Sequence, residues 1–177
     1  MLSVSERIVN SKTNDIYFKM RQFFLDRNYQ IIADNPPSNL SIKQGSIWGI
    51  LPRTAKKIIN YSFSSFQSET QIRFSSSFAP EWKTLTILGY VFSFFLVGLS
   101  FWISTDLEHY ILTGNSGFWS WIATSANTSG FSSAQSFSDL ARILALFLIL
   151  VLIVETFLVL YSRFKINDVA NEILNQF

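Results

Sequence analysis

Glu155 is the most chemically conspicuous residue of this sequence, because it lies inside a long run of apolar side chains. A carboxyl group in a membrane helix is costly and usually faces a partner, a water-filled cavity or an ion path. At about 1.5 Å of rise per residue, Tyr90 and Ser93 of the other long apolar run lie at a similar depth in an antiparallel pair. A hydrogen bond from either hydroxyl group would make Glu155 a clamp between two helices. The alternatives are a contact with another subunit and a path for protons or cations.

His109 is the sole histidine, and Asp106 precedes it by three residues, so both side chains could share one face of a helix. Two ligands do not make a metal site, and an exposed histidine is the simpler interpretation. The sequence contains no cysteine, which excludes thiol nucleophiles and iron–sulfur clusters. Glycine-rich phosphate-binding motifs and the G-x-S-x-G nucleophile elbow are also missing. We therefore predict a protein without catalytic residues, metal ions or cofactors.

Two further groups of residues suggest contacts at a membrane surface. Arg53, Lys56 and Lys57 cluster near Pro52 and could contact anionic lipid headgroups. The simpler interpretation is a solvated strand edge, where lysine side chains discourage unwanted strand pairing. Asn127 opens an Asn-Thr-Ser sequence that would accept a glycan if it lay outside the cell. The basic cluster is too small, and lacks interleaved aromatic residues, to predict a nucleic-acid partner.

Two apolar runs must position these candidates. Residues 84–103 contain no charged side chain, and residues 143–162 contain only Glu155. About twenty helical residues span the hydrocarbon layer of a bilayer, which is roughly 30 Å thick. So short a chain has too little other protein to bury both runs. We therefore predict two transmembrane helices.

The face on which these helices meet is predicted from small residues. Gly89, Ser93 and Ser100 fall on one side of the first helix. Gly89 and Ser93 form a small-x-x-x-small pair, which allows two membrane helices to approach closely. Glycine and serine are also common in membrane helices without this role. We expect this face to contact the second helix.

Basic residues are distributed unequally around the two runs. Arg73 and Lys83 precede the first run, Arg163 and Lys165 follow the second, and Arg142 is the single basic residue between them. The cytoplasmic ends of membrane helices carry an excess of lysine and arginine. We therefore predict a multi-pass protein of the plasma membrane with both termini in the cytoplasm.

The part before the first run predicts a small α+β domain. Apolar residues at helical spacing indicate an amphipathic helix over 12–27, with Thr13 or Asn14 as its cap. Alternating segments predict the strands of an antiparallel sheet over residues 29–33, 40–44, 47–51, 57–66 and 70–78.

Two further helical segments are expected outside the spans. Thr105 and Glu108 form a capping box, which predicts a separate short helix that ends at Gly114. The apolar residues 118–123 should lie in the headgroup region, followed by a flexible segment over 124–139. Beyond the second span, apolar residues recur every three or four positions. This pattern predicts a tail helix that docks onto the N-terminal domain or onto a partner protein.

Together these patterns predict an α+β fold joined to a two-helix transmembrane hairpin and a C-terminal amphipathic helix. The predicted parts are a cytoplasmic domain of residues 1–80, a first transmembrane helix of 81–104, an external loop with short interfacial helices of 105–141, a second transmembrane helix of 142–162 and a cytoplasmic tail helix of 163–177.

The predicted function is that of a non-catalytic membrane protein that acts through protein contacts, as an accessory subunit or a scaffold. Its expected partners are the lipid bilayer and either another membrane protein or further copies of itself, and no small-molecule substrate is indicated. Two alternatives stay open. One is an oligomeric ion transport or channel subunit that uses Glu155, and the other is a membrane-bound enzyme of unknown reaction.

Overall fold

The computed structural model describes residues 5–66, 69–124 and 130–177 of the chain. These residues belong to two compact units. The first unit combines Met1–Thr86 with Phe157–Phe177, and the second unit is Ile87–Thr156. The first unit therefore contains the segments nearest both ends of the chain. Between them the chain leaves this unit once and returns once.

A five-stranded antiparallel sheet forms the centre of the first unit. Its spatial order is β1-β5-β4-β3-β2, so four strands form a meander and the first strand is added beside the last. One helix, α1 (Thr13–Asp26), connects β1 to β2. The α+β class predicted from the sequence is therefore observed. The strands are β1 (Ser5–Val9), β2 (Gln30–Asn35), β3 (Asn39–Gln44), β4 (Lys57–Phe66) and β5 (Glu69–Phe78).

The core lies on one face of this sheet, because side chains alternate between the two faces of a strand. The apolar positions of the three central strands are buried against α1, whereas positions such as Asn60, Ser62 and Arg73 on the other face are exposed. The residues that α1 and the central strands contribute to the core are Ile16, Tyr17, Met20, Phe24, Leu40, Ile42, Ile59, Tyr61, Phe63, Ile72 and Phe74.

The last turns of the C-terminal helix complete this core. Ala170, Ile173 and Leu174 are buried in the same apolar cluster as α1 and the sheet. The rings of Phe23 and Phe177 meet edge to face, with their centroids 5.0 Å apart. The amphipathic tail thus docks onto the N-terminal domain, which was one of its two predicted sites.

Two local predictions for the first unit are wrong, and one strand was not predicted. Residues 47–51 form an irregular segment with a turn at 47–48 instead of a strand, after Gly45 with its φ of +92°. The strand β1 was not predicted, because its pairing partner β5 lies about sixty residues further along the chain. The cap of α1 is Lys12 instead of Thr13 or Asn14. The Thr13 hydroxyl lies 3.2 Å from that of Thr70 instead.

Two long helices and one short helix follow the sheet. They are α2 (Pro80–Thr113), α3 (Ser120–Thr124) and α4 (Gly130–Leu174). Among the described residues, Pro80–Thr113 and Ser132–Leu174 are long and apolar enough to cross a membrane. Their most apolar stretches are 6% and 11% buried, whereas the core helix of a soluble protein is mostly buried.

The helices are longer and fewer than the sequence predicts. Residues 105–113 are the last turns of α2, and the Thr105 hydroxyl bonds back to the carbonyl oxygens of Phe101 and Trp102 instead of capping a new helix. Gly114 follows the end of α2 with a φ of +70°, as a terminating glycine should. The serine-rich residues 130–139 are helical, and the tail helix continues α4 without a break.

Leu174→Ala tests the contribution of the tail to the domain core. Removal of a fully buried leucine side chain leaves a cavity, and we expect the free energy of unfolding to fall by about 2–4 kcal/mol. Asn171→Ala changes an exposed residue one turn earlier and should alter it by less than about 0.5 kcal/mol. Denaturant unfolding in mild detergent, followed by near-ultraviolet circular dichroism, measures both. Equal stability of the two variants would contradict the shared core.

Candidate functional site

Glu155 is half-buried in α4, and its carboxylate makes no hydrogen bond or ion pair with any residue that the structure describes. The expected partner Tyr90 lies at a matching position along α2, but its hydroxyl donates to the Thr156 hydroxyl at 3.2 Å. Thr156 in turn donates to the Leu152 carbonyl oxygen at 2.7 Å. Ser93 is half-buried and forms no described bond to Glu155. The predicted clamp is therefore wrong, because the hydroxyl group of Tyr90 bonds to Thr156 and not to Glu155.

The helix contact in the second unit depends on small residues of α4. The hydroxyl oxygens of Ser104 and Ser138 are 3.0 Å apart, and Ser138 lies 3.1 Å from the carbonyl oxygen of Ser104. Leu107 packs against Ala134. Buried small side chains recur on α4 at every third or fourth position, namely Ala134, Ser138, Ala141 and Ala145.

The face predicted on α2 is only partly involved in this contact. Ser100 is buried, but Gly89 is exposed, and no described atom lies within 4 Å of a Cβ atom built on Gly89. The small residues that allow α2 and α4 to approach each other therefore lie mainly on α4. The prediction for Gly89 is wrong because a glycine allows a close contact but does not create one.

Asp106 supports the connection between α2 and α3. Its Oδ2 atom accepts a hydrogen bond from the backbone N–H of Trp119 at 2.7 Å. A Cβ atom on Gly117 would lie only 2.4 Å from Oδ1, so a side chain there would displace this carboxylate from its position. His109 is exposed. No three His, Asp or Glu side chains converge on a metal position within the described ranges.

Glu108 and Arg142 form an ion pair within the second unit. Arg142 is the basic residue between the two apolar runs. Its side chain and that of Glu108 are both half-exposed. Glu108 thus balances the charge of Arg142, which is the exception to the placement of lysine and arginine before the first apolar run and after the second. Asn127, the predicted glycosylation position, lies outside the described residues.

The three basic residues near Pro52 do not form one exposed patch. Arg53 pairs with Glu172 of α4 at 2.9 Å, and Lys56 lies 3.3 Å from Glu81. Lys43 also contacts Glu81, and its hydrogen bond is the main cause that lowers the pKa of that carboxyl group to about 2. Arg53 and Lys56, two of the three cations considered for a headgroup contact, therefore each have a carboxylate partner, although Lys56 shares Glu81 with Lys43.

Lys57 has a different role from its neighbours, because it is fully buried at the start of the central strand β4. Its Nζ atom donates to the carbonyl oxygens of Pro52 and Arg53 at 2.7 and 3.1 Å. Burial lowers the pKa of Lys57 to about 8. Neither the headgroup contact nor the strand edge predicted for this residue fits a buried ammonium group that supports a loop.

A polar cluster that the sequence did not single out joins α1 to β2. The Tyr17 hydroxyl donates to Asp34, and the Arg21 Nε atom lies 2.7 Å from the other carboxylate oxygen. The bond from Tyr17, followed by that from Arg21, lowers the pKa of Asp34, whereas burial raises the pKa of Tyr17. The four-residue spacing of Tyr17 and Arg21 is visible in the sequence, but their pairing with Asp34 on the strand that follows α1 is not. The cluster holds α1 on the sheet.

Lys57 makes the stability of the first unit depend on pH. Its pKa falls from 10.5 to about 8 on folding, so between these values the unfolded chain binds more protons. We therefore expect the free energy of unfolding to rise by about 1–3 kcal/mol as the pH increases from 8 to 10.5. Lys57→Met should abolish this rise, whereas the exposed Lys19→Met should retain it. Thermal unfolding at stepped pH values measures the effect, and an undiminished rise in Lys57→Met would contradict it.

The chain matches no protein-family model, no curated protein and no solved structure. Its function therefore has to be argued from its own residues. Three placements bear on that function. The tail closes the N-terminal core, Asp34, Lys57 and Asp106 are bonded within the fold, and Glu155 is left without a partner among the described residues.

Proposed function

We propose that this chain is a two-span membrane protein whose two ends form one cytoplasmic domain, and that it acts through protein contacts as an accessory subunit or scaffold. The observation that carries the proposal is the shared core of the first unit, in which Ala170 and Leu174 pack with the sheet. Two chain segments in one core lie on one side of a bilayer. A chain that leaves this unit once and returns once then crosses the bilayer as a hairpin.

The distribution of charge supports a cytoplasmic position for that domain. Lys83 and Arg163 flank the two apolar runs on the side of the first unit, where both are exposed. The part between the runs contains Arg142 as its basic residue, and Glu108 pairs with it. Retention of lysine and arginine in the cytoplasm favours this orientation.

The surfaces of both helices support a role based on contacts. Large apolar side chains are exposed along each of them, including Phe92 and Phe94 on α2 and Phe147 and Phe157 on α4. In water such a surface would favour aggregation, whereas lipid chains or another membrane protein would cover it. Asp34, Lys57 and Asp106, which could in principle take part in chemistry, are instead bonded within the fold.

The orientation can be tested with single cysteines, because the natural chain contains none. We place them at Ser62 in the domain, Asn115 between α2 and α3, and Gln176 near the C-terminal end, all of which are exposed. In intact cells a membrane-impermeant maleimide should label only Asn115→Cys, and the other two should react after permeabilisation. Labelling of Ser62→Cys and Gln176→Cys from opposite sides would contradict the hairpin.

Glu155 supports a more specific version of this proposal, in which its carboxyl group bonds to another subunit. An unpaired carboxyl group in hydrocarbon is unfavourable, and Tyr90 is already bonded to Thr156. The same observation supports the ion transport or channel subunit as a second candidate, since a carboxyl group at an interface between copies could line an ion path.

Substitution of Glu155 distinguishes these two candidates. An interhelical hydrogen bond contributes about 1–2 kcal/mol in a membrane, so Glu155→Leu should weaken assembly about 5- to 30-fold. Thr156→Ser keeps the neighbouring hydroxyl group that accepts the bond from Tyr90 and should leave assembly unchanged. Light scattering in mild detergent and partner co-purification measure this. A wild-type protein that is monomeric and without a partner would contradict the proposal, whereas Glu155→Gln that assembles but loses ion flux in liposomes would favour the channel.

A further inference from the structure

The loop of residues 45–56, which connects β3 to β4, exposes a compact group of large apolar side chains. Trp48, Ile50 and Leu51 are 76%, 37% and 49% exposed, respectively. A scattered apolar residue at a protein surface needs no explanation, but three within four positions of one loop form a patch. We call these three side chains the loop tip.

The loop tip is held outward by a rigid loop backbone. Gly45 and Gly49 approach the backbone of Thr54 and Ala55 so closely that a Cβ atom on either glycine would lie within 2.4 Å of it. The backbone N–H groups of Ser46 and Lys56 cross-link the two arms of the loop, at 2.7 and 2.9 Å from their acceptors. These bonds fix the exposed position of the tip, so little chain entropy would be lost if the tip entered another phase.

The same loop is attached to both long helices within the first unit. The indole N–H of Trp82 in α2 donates to the Gly49 carbonyl oxygen at 2.6 Å. The Ser162 hydroxyl of α4 donates to the carbonyl oxygen of Ile50. Trp82 lies two residues before the start of the first apolar run, and Ser162 is the last residue of the second. The backbone of the loop that carries the tip is therefore bonded to each helix close to one end of its apolar run.

The cations of the loop itself are engaged within the fold, which favours an apolar contact of the tip over an electrostatic one. Arg53 is paired with Glu172, Lys56 shares Glu81 with Lys43, and Lys57 is buried under the loop. A surface that bound lipid through charge would instead present unpaired cations to the anionic headgroups. Tryptophan favours the boundary between headgroups and acyl chains, since its ring is apolar and its N–H group is polar.

We propose that the loop tip inserts into the headgroup region of the membrane leaflet at which the first apolar run begins and the second apolar run ends. Trp48, Ile50 and Leu51 then form a third attachment of the domain to the bilayer, beside the two spans. This inference rests on the proposed function, because it requires that the two helices cross the membrane. The lipid surface contacts the tip through its apolar side chains, so the contact should be insensitive to salt.

Depth measurements with nitroxide spin labels test this inference. Single cysteines replace Trp48, Leu51, the exposed Ser62 of the sheet and the exposed Phe94 of the first apolar run, in full-length protein reconstituted in phosphatidylcholine and phosphatidylglycerol vesicles. Oxygen concentrates in the lipid, and a water-soluble nickel complex is excluded from it. Labels at Trp48→Cys and Leu51→Cys should be more accessible to oxygen than to nickel, about 5–10 Å below the headgroup surface. Raising the salt concentration to 1 M, where charges are screened over about 3 Å, should leave them there.

The two controls separate failure of this inference from failure of the proposed function. Phe94→Cys should report lipid and Ser62→Cys should report water. If Phe94→Cys is also in water, the helices do not cross the bilayer and both proposals are overturned. If Phe94→Cys is in lipid while Trp48→Cys and Leu51→Cys match Ser62→Cys, only the loop insertion is overturned. Protection of the tip from both oxygen and nickel would indicate a protein partner instead and would equally overturn it.

Discussion

The closure of one hydrophobic core by segments from both ends of the chain is the constraint on which the rest of this structure depends. The one-sided sheet and α1 leave an apolar surface, and the last turns of α4 cover part of it. Burial of Ile173 and Leu174 there is favourable because their apolar surface leaves water. The same packing ties the far end of the chain to the start of α2. Whatever lies between them must therefore begin and end at this domain.

Most of the fold was predictable where the pattern is local. β4 and β5 alternate apolar and polar residues over 60–64 and 71–75, and their predicted bounds agree with the structure to within one residue. The two apolar helices follow from composition and length alone. β1 was missed because its five residues acquire their structure from pairing with β5, and nothing in a short, charged segment signals a distant partner. The predicted strand over 47–51 failed because the bonds of the loop outweigh its apolar composition.

The candidate site shows a similar division. Helix geometry predicted that Tyr90 lies beside Glu155 along α4, and its hydroxyl group does reach Thr156, the next residue. Rotation of a helix about its own axis was not predictable, because small residues mark a possible close contact without naming the partner. Gly89 is exposed, while Ser104 and Ser138 meet. The hydrogen bond between the hydroxyl groups of Ser104 and Ser138 fixes which side of α2 faces α4, whereas a glycine such as Gly89 has no side chain that could do so.

Lys57 illustrates how the loop and the helices are linked through one energetically costly residue. A buried ammonium group loses its hydration, and two carbonyl oxygens offset only part of that loss. An apolar side chain would avoid the cost but would leave the carbonyl groups of Pro52 and Arg53 without this donor. The loop that Lys57 supports carries the carbonyl oxygens that Trp82 and Ser162 bind. The lysine therefore stabilises the attachment of both helices to the sheet, and this explains a buried charge in the central strand without assigning it to chemistry.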